Sequence, residues 1–343
     1  MGCIMQEQCI EELLQKGWVR DALSKMKSKG GITLKHLDFS FVNELYEQSK
    51  ETKKGSPPTY LPDAKLKGII FCLASGKKRI RGMARKLKET LAKMLCGFDH
   101  VSPSASTISR FFRFLAGIIE DVFQHIALFA AGLGIYSSRF LIDTTSLEVF
   151  QEDHEGKWNY DATKKKWYYG YGLELIVDWK THLPIAVVFT NGKHVGNKEI
   201  QEGMHRMLSV KKPTMLIGDG EFDIRKIHEQ LISKRILPIM HYNPRNNKTM
   251  YPFQFRIEEL VQHITCGKVS LNTQQLREDY KKRIEIEHAI SMIKDLGLEF
   301  PQVKGFKAVK THAYLILIYR LAIGICKFIE NPENNLRKIN VEL

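Results

Sequence analysis

Four side chains near the C-terminal end have the types and spacing of a phosphate-binding site beside a metal ion. They are Tyr280, Arg283, Glu287 and Lys294, a Y-x2-R-x3-E-x6-K array. At about 100° per residue in an α-helix, they fall within an arc of about 60° on one face. Arg and Lys pair with phosphate oxygens, and a carboxylate binds a hard cation. The array therefore predicts one helix that holds a polyanion next to a metal ion.

A simpler explanation of this helix is a surface ion pair between Arg283 and Glu287, worth only about 0.5 kcal/mol. That explanation leaves Tyr280 and Lys294 unaccounted for. Glu285 competes with Glu287 as the functional acid, but it lies about 160° away around the helix, on the side opposite the basic residues. Helix geometry therefore selects Glu287.

Two aspartates at apolar strands are the other candidates for chemistry. Asp143 lies in FLIDTTSL, where an unpaired buried carboxylate would be costly, so it needs a partner or a metal. Asp219 ends MLIGD, at the C-terminal edge of a parallel-type strand, where sites in α/β sheets usually lie. In the alternative interpretation, Asp143 pairs at a strand edge, and Asp219 or its rival Asp223 caps the next helix.

Two strand aspartates and one helix glutamate can hold two Mg²⁺ ions about 4 Å apart. Such a pair activates a water or a 3′-hydroxyl on one side of a phosphorus atom and stabilises the leaving oxygen on the other. Asp143, Asp219 and Glu287 are therefore both the predicted catalytic residues and the predicted metal ligands.

The charge of the chain favours a polyanionic partner. The net charge is +14 over 343 residues, and the sequence pI is about 9.4. Residues 61–115 hold twelve Lys and Arg against three acids, a net charge of +9 in that stretch. A solvated helical face is the plainer alternative. A membrane surface fits least, because no basic amphipathic helix with an aromatic face stands out.

The remaining composition indicates a cytoplasmic protein. The six cysteines form no CxxC pair, so neither a disulfide framework nor a structural zinc site is expected. No signal peptide is visible, since Glu7, Glu11 and Glu12 interrupt the first residues. The apolar stretch from Ala313 to Ile329 contains Arg320 and Lys327, and it predicts a buried helix rather than a bilayer span.

The pattern along the chain predicts three regions. Residues 1–137 are predicted to form a helical N-terminal DNA-binding region, with an apolar segment near 66–73, a basic helix over 79–95 and a helix capped by Ser104 or Ser106. A helix-turn-helix is predicted over about 79–115. Its candidate DNA-binding residues are Arg79, Arg81, Arg85, Arg110 and Arg113.

Residues 138–300 follow with a five-stranded mixed sheet flanked by helices, and 301–343 with a C-terminal helical segment. A short insertion at about 243–275 is predicted to be irregular, with some β structure. Trp158 and Trp167, between the first two predicted strands, are expected to pack in the core or in a hairpin rather than to contact a base.

At this point the chain resembles the DDE transposases of prokaryotic insertion sequences, in the branch with the Y-x2-R-x3-E-x6-K signature. The array from Tyr280 to Lys294 follows LIDTTS and GDGEFD, and the similarity covers about residues 100–330. The resemblance implies an RNase H-like α/β fold, two Mg²⁺ ions for which Mn²⁺ can substitute, and DNA cleavage followed by strand transfer. It also implies that Tyr280, Arg283 and Lys294 contact phosphates near the cleaved DNA end.

The partners implied are double-stranded DNA, as the terminal inverted repeats of the element and as target DNA, and a second copy of the chain in a synaptic complex. Bound to DNA, the protein would associate with the nucleoid. Two rival functions stay open at this stage. One is an inactive or domesticated DNA-binding protein, and the other is a metal-dependent nuclease that cuts without strand transfer.

Overall fold

The structure, a computed structural model, describes residues 37–49, 59–98, 101–161, 165–192, 196–243, 255–299 and 301–338. It divides into two units. The first comprises Met1–Phe111, Ile329–Pro332 and Lys338–Leu343, and the second comprises Phe112–Phe328 and Glu333–Arg337. Of the helical region predicted over residues 1–137, residues 1–36, 50–58 and 99–100 lie outside the described part.

The first unit is built from helices. Its elements are α1 (Phe41–Gln48), α2 (Pro62–Ala74), α3 (Ile80–Lys86), α4 (Thr90–Cys96) and the beginning of α5 (Ala105–Gly132). Leu66, Ile69 and Ile70 of α2 are fully buried and give this unit its core. The Ser104 hydroxyl accepts the Thr107 N–H at 3.2 Å. Of the two predicted caps, Ser104 is therefore the residue that caps α5.

The basic segment predicted as one helix over 79–95 is two short helices. The break falls at Leu87, whose carbonyl accepts the Ser102 hydroxyl at 2.7 Å instead of continuing the helix. The Lys88 and Glu89 N–H groups make i→i+3 bonds to Arg85 and Lys86, both at 3.2 Å. A tightened last turn of this kind commonly ends a helix.

The second unit contains a mixed sheet of six strands. They are β1 (Arg139–Glu148), β2 (Lys157–Asp161), β3 (Lys166–Asp178), β4 (Pro184–Thr190), β5 (Met215–Gly218) and β6 (Leu237–Met240). The β1 strand is central: it pairs antiparallel with β3 and parallel with β5. Beyond these, β3 pairs antiparallel with β4 and β2, and β5 pairs parallel with β6. The predicted α/β fold with a mixed sheet is confirmed.

The sheet has one strand more than the five predicted. The extra strand, β2, reads KWNYD and alternates polar and aromatic residues over only five positions. Gly170 of β3 pairs with Glu148 of β1 and with Lys157 of β2, so these two strands lie on opposite sides of β3.

Helices complete the second unit. They are α6 (Asn197–Val210), α7 (Arg225–Ser233), α8 (Arg256–Thr265), α9 (Thr273–Lys281), α10 (Ile284–Ile293) and α11 (Phe306–Glu330), with a 3-10 turn at Gly220–Phe222 and a π-helical turn at Lys294–Leu298. The segment predicted to be irregular over 243–275 contains α8, whose Ile257 and Leu260 are buried at helical spacing. Residues 244–254 lie outside the described part.

Two helices, α5 and α11, are long and apolar enough to cross a membrane by length and composition. In α11 this composition has a different cause, because nearly all its side chains from Val309 to Lys327 are buried within the protein. Arg320 is fully buried there and donates to the carbonyls of Thr181 and Leu336 at 3.2 and 2.7 Å. The buried helix predicted from the sequence is therefore present.

Candidate active site

The two strand aspartates lie side by side on neighbouring strands. In the parallel pair β1–β5, Ile142 is opposite Gly218. Asp143 and Asp219 are the next residues along these two strands. Adjacent strands are about 4.8 Å apart. The sheet therefore brings the two carboxylates together where β5 ends.

Burial and mutual repulsion act on Asp143. Burial is the larger cause and the charge of Asp219 the second, and together they raise the pKa of Asp143 to about 7. The Thr144 N–H, which donates to Asp143 Oδ1 at 2.7 Å, and the Arg283 guanidinium oppose this shift. The two carboxylates therefore repel each other, and the Thr144 N–H and Arg283 only partly offset that repulsion.

Asp219 has a structural bond as well as a place beside Asp143. Its Oδ1 accepts the Glu221 N–H at 2.8 Å and so caps the 3-10 turn at Gly220–Phe222. The capping interpretation is thus right about the bond, although the capped element is this turn and not α7. Asp223, the rival cap, is buried and accepts two bonds from Arg256, from Nε at 2.7 Å and from Nη2 at 2.9 Å.

Glu221 is a site residue that the sequence interpretation missed. Its Oε2 accepts the Thr144 hydroxyl at 3.3 Å, and its charge also raises the pKa of Asp143. The signal available in the sequence was an acid two residues after Asp219 in a tight glycine turn, GDGEFD.

The four-residue array spans two helices and not the single helix predicted. Helix α9 ends at Lys281 and α10 begins at Ile284. Between them the Arg283 N–H donates to the Tyr280 carbonyl at 2.9 Å, an i→i+3 bond. Side chains three residues apart are eclipsed in such a tightened turn. The break therefore keeps Tyr280 and Arg283 on one side of the segment.

Arg283 links the array to the aspartates. Its Nη2 donates to Glu287 Oε1 at 2.8 Å. Burial lowers the pKa of the guanidinium, but the charges of Glu287, Asp143 and Asp219 and the Tyr280 hydroxyl outweigh burial and raise it. Arg283 is therefore within electrostatic reach of all three predicted catalytic acids.

Tyr280 lies beside Arg283 and near the aspartates. Its ring packs against His241 and Phe255, with ring centroids 5.8 and 5.6 Å apart. Burial raises the pKa of its hydroxyl, the Asp219 and Asp143 charges add to that shift, and the charge of Arg283 and its hydrogen bond to the hydroxyl oppose it.

Glu285 and Lys294 have partners away from the aspartates. Glu285 Oε2 lies 2.9 Å from both His182 Nε2 and Arg337 Nη1, so this acid has a structural role. Lys294 begins the π-helical turn, and its Nζ lies 3.6 Å from Glu299 Oε1. The structure thus places Tyr280 and Arg283 within electrostatic reach of the aspartates and links Glu287 to them only through Arg283, whereas Lys294 pairs with Glu299.

The carboxylates suit a divalent cation, although they do not yet form a complete ligand set. Within the described ranges, no three His, Cys, Asp or Glu side chains lie close enough together to hold a metal ion. Asp143 and Asp219 supply the hard oxygen donors that Mg²⁺ prefers, and a cation would relieve the repulsion between them. Glu287 could join them by giving up its bond to Arg283.

The predicted DNA-binding arginines are all exposed. Arg79 directly precedes α3, and Arg81 and Arg85 lie within it. Arg110 and Arg113 lie in the first turns of α5, on either side of the division between the two units.

Comparisons with known proteins point to transposases. A family model described as "Transposase DDE domain" matches residues 137–321. Two proteins from two strains of Halobacterium salinarum, both named "Probable transposase for insertion sequence element ISH11", are 28% identical over 293 residues. The match covers 85% of this chain and 88% of each relative.

Two solved transposase structures also match. One is a cryo-EM structure of the piggyBac transposase synaptic complex with hairpin DNA, at 11% identity and a TM-score of 0.46, covering 90% of this chain and 77% of that one. The other is the crystal structure of a pre-cleavage Mos1 transpososome, at 10% identity and a TM-score of 0.22, covering 82% and 85%.

Proposed function

The chain belongs to the transposase DDE family, and on that premise we propose that Asp143, Asp219 and Glu287 are its catalytic acids. The family and the insertion-sequence relatives make the protein a prokaryotic DNA transposase, an enzyme of the DDE type. Both rival functions are therefore disfavoured. The assignment of individual residues is our proposal.

The observation that carries the assignment is the position of Arg283. One guanidinium bonded to Glu287 and influenced by both aspartates is evidence that the three acids share one site. Glu285, two residues before Glu287, takes no part in that site because it pairs with His182 and Arg337.

DDE transposases generally use divalent metal ions, and we assign Asp143, Asp219 and Glu287 as the ligands of two Mg²⁺ ions, with Mn²⁺ able to substitute. Bound there, such ions would activate the attacking oxygen and stabilise the leaving oxygen of the phosphodiester. We propose that Glu287 releases Arg283 as it binds a cation. The freed guanidinium then has two parallel N–H groups for a phosphate of the DNA end, a geometry that suits Arg.

The remaining members of the array have supporting roles. Tyr280, packed between His241 and Phe255, presents its hydroxyl to the same phosphate through its bond with Arg283. Lys294 exchanges Glu299 for a phosphate further along the strand. Because these residues do no covalent chemistry, their contribution is positioning and charge stabilisation.

DNA is the partner of this enzyme, and we propose that it is bound as terminal inverted repeats and as target DNA. A dimer would supply one catalytic site for each of two element ends. The exposed arginines of the first unit, with a helix-turn-helix over about 79–115, would read or hold the ends. Replacing Arg81 and Arg85 with Ala should then weaken end binding and reduce its salt dependence by about one log–log unit per lost phosphate contact. An unchanged slope would remove them from the interface.

Strand transfer in vitro tests the catalytic assignment. Purified protein, Mg²⁺ or Mn²⁺, the DNA that flanks the gene and a supercoiled target would be mixed and analysed for joined products. Glu287→Gln should give none, whereas Glu285→Gln should join DNA in proportion to its folded fraction. Joining by Glu287→Gln would refute the assignment. Nicking without joining by the unaltered protein would point to a nuclease activity, and binding without cleavage to an inactive copy.

A further inference from the structure

Four aromatic rings form a ladder on one face of the β2–β3 ribbon. Trp158 is opposite Tyr169, and Tyr160 is opposite Trp167. The ring centroids within these pairs are 5.4 and 5.3 Å apart. The predicted hairpin packing of Trp158 and Trp167 is therefore present. We call these four residues the aromatic ladder.

Hairpin packing does not explain why the ladder faces solvent. Trp158, Tyr160 and Trp167 are 56%, 42% and 64% exposed, which are large fractions for such side chains. Beside them lies an open cleft of about 270 Å³. Its lining includes Trp158, Trp167, Tyr169 and the neighbouring Phe150, which is 51% exposed. A contiguous exposed apolar patch of this kind usually marks a binding surface.

The ladder and Asp143 lie on the same face of the sheet. Asp143 is opposite Leu175 of β3, and the register continues without a break towards Gly170. Side chains two, four, six and eight residues before Leu175 share its face, and the last two are Tyr169 and Trp167. At about 3.3 Å per residue, these rings are about 20 and 26 Å from Asp143 along the strand. That span equals at most about six to eight nucleotides, at the roughly 3.4 Å rise of a stacked strand.

Positive charge accompanies this path. The surface near its middle is the start of α11, where the Phe306 ring packs on Tyr171 with centroids 5.8 Å apart and Lys307 is exposed. Lys157 and Lys165 are exposed beside the ladder and, like Lys307, have no carboxylate partner among the described residues.

Two of the nearby acids are balanced by lysines, Glu148 by Lys166 at 2.7 Å and Glu152 by Lys304 at 3.3 Å. Glu155 and the buried Asp153 accept only neutral donors and keep their charge, so three lysines on this surface face two uncompensated acids.

We propose that the aromatic ladder stacks unpaired bases of a DNA strand that runs from Asp143 to the ladder. The strand passes over the elements that cover the middle of this face, where Tyr171, Leu173 and Leu175 are fully buried. The proposal rests on the proposed function in one respect, since it takes Asp143 as the point where the strand is cut. Base faces inside a duplex are covered by their neighbours, so the exposed Trp158 and Trp167 rings can stack only on bases that are unpaired or at an end. Stacking on aromatic rings tolerates any base, and the lysines bind the phosphates between.

Binding of partly single-stranded DNA by the full chain tests the ladder. The probes are a duplex with an overhang of about eight nucleotides and a fully paired duplex of equal length, in chelator so that no cleavage occurs. The Trp158→Ala/Trp167→Ala variant should bind the overhang probe about 5- to 150-fold more weakly per lost ring and the paired probe about equally. Equal affinity of this variant and the unaltered chain for the overhang probe would overturn the proposal, as would an equal loss on both probes.

Two further variants control for folding. Trp158→Phe/Trp167→Phe keeps the rings and should retain most of the preference for the overhang. Phe129→Ala removes an exposed aromatic of α5, 44% exposed, and should change neither affinity. Loss of the preference in Phe129→Ala would show that exposed aromatics act non-specifically and would also overturn the proposal.

The two hypotheses fail separately. Asp143→Asn should lose cleavage but keep the preference for the overhang, because that preference is measured by binding and needs no cleavage. Cleavage by Asp143→Asn would refute the catalytic assignment, and the binding data on the overhang probe would still test the ladder. A 2-aminopurine placed in the overhang gives an independent signal, since its fluorescence is quenched on stacking in the unaltered chain and should not be quenched in the double Ala variant.

Discussion

Arg283 Nη2 donates to Glu287 Oε1 at 2.8 Å, and the same guanidinium is influenced by Asp143 and Asp219. A comparable i,i+4 pair, Arg225 with Glu229 at 3.0 Å on α7, lies on an exposed surface. The chain thus contains both a pair placed at the predicted active site and a pair of the ordinary surface kind.

Arg283→Ala should therefore reduce DNA-end binding and cleavage by about 10- to 100-fold and lower the log–log salt slope by about one. Arg283→Lys should keep the slope, because the charge remains, but bind more weakly because the two-pronged contact is lost. Binding at several salt concentrations and cleavage rates measure both. Arg225→Ala is the matched control and should change neither, and equal effects at the two sites would reduce Arg283 to a surface ion pair.

Asp219→Asn and Asp223→Asn should separate catalysis from stability. Asp219→Asn should lower cleavage at least about a thousandfold, because metal stabilisation of the reacting oxygens is worth several kcal/mol, while stability changes by less than about 1 kcal/mol. Asp223→Asn removes a buried partner of Arg256 and should cost about 2–4 kcal/mol of stability. Cleavage and urea unfolding are measured on both variants. The assignment fails if Asp219→Asn still cuts DNA at a rate close to that of the unaltered protein.

The sequence predicted the parts of this fold that have strong apolar patterns. The runs in β1 and β5 are buried strands, as predicted, and they are neighbours in the sheet. The short strand β2 escaped detection because it is only five residues long, too short for its alternating pattern to stand out, and it gains its stability from pairing with β3. Exposure of Trp158 and Trp167 was also not predictable, since it depends on the lack of a covering element among the described residues.

The sequence predicted which residues form the site, but not how they are arranged in space. That Asp143 and Asp219 are neighbours follows from the register of Ile142 with Gly218, which residue types do not encode. The break between α9 and α10 leaves Arg283 with helical angles, φ −55° and ψ −31°, and changes only the hydrogen-bond pattern. Glu221 lies in a short turn with no periodic signal.

Glu299→Gln should strengthen DNA binding if Lys294 exchanges this partner for a phosphate. The Lys294–Glu299 distance of 3.6 Å describes a partly exposed pair, worth about 0.2–1 kcal/mol, so its removal should tighten end binding by about 1.5- to 5-fold. Lys294→Ala should weaken binding and flatten its salt dependence. The double variant should match Lys294→Ala, which a binding cycle measures directly. Additive effects of the two substitutions would remove Lys294 from the DNA interface.

Glu174→Gln should make the protein more resistant to alkaline pH. Glu174 is 1% exposed on β3, both of its carboxylate oxygens lack hydrogen-bond partners, and its side chain faces Gly203 of α6. Burial, helped by the charges of Glu199 and Glu202, raises its pKa to about 8. The folded chain then holds a proton that the unfolded chain releases near pH 4.5, so stability falls as pH rises from about 4.5 to about 8.

The penalty at pH 9 is at most roughly 5 kcal/mol, and water entry or relaxation would reduce it. Urea unfolding at pH 5, 7 and 9 measures the effect. Glu174→Gln should unfold at about the same urea concentration as the unaltered protein at pH 5 and at a clearly higher one at pH 9. Glu278→Gln, on the exposed side of α9, should follow the unaltered protein at every pH. Parallel pH profiles for Glu174→Gln and the unaltered protein would mean that Glu174 is already ionised in the folded chain, with a cation or water compensating its charge.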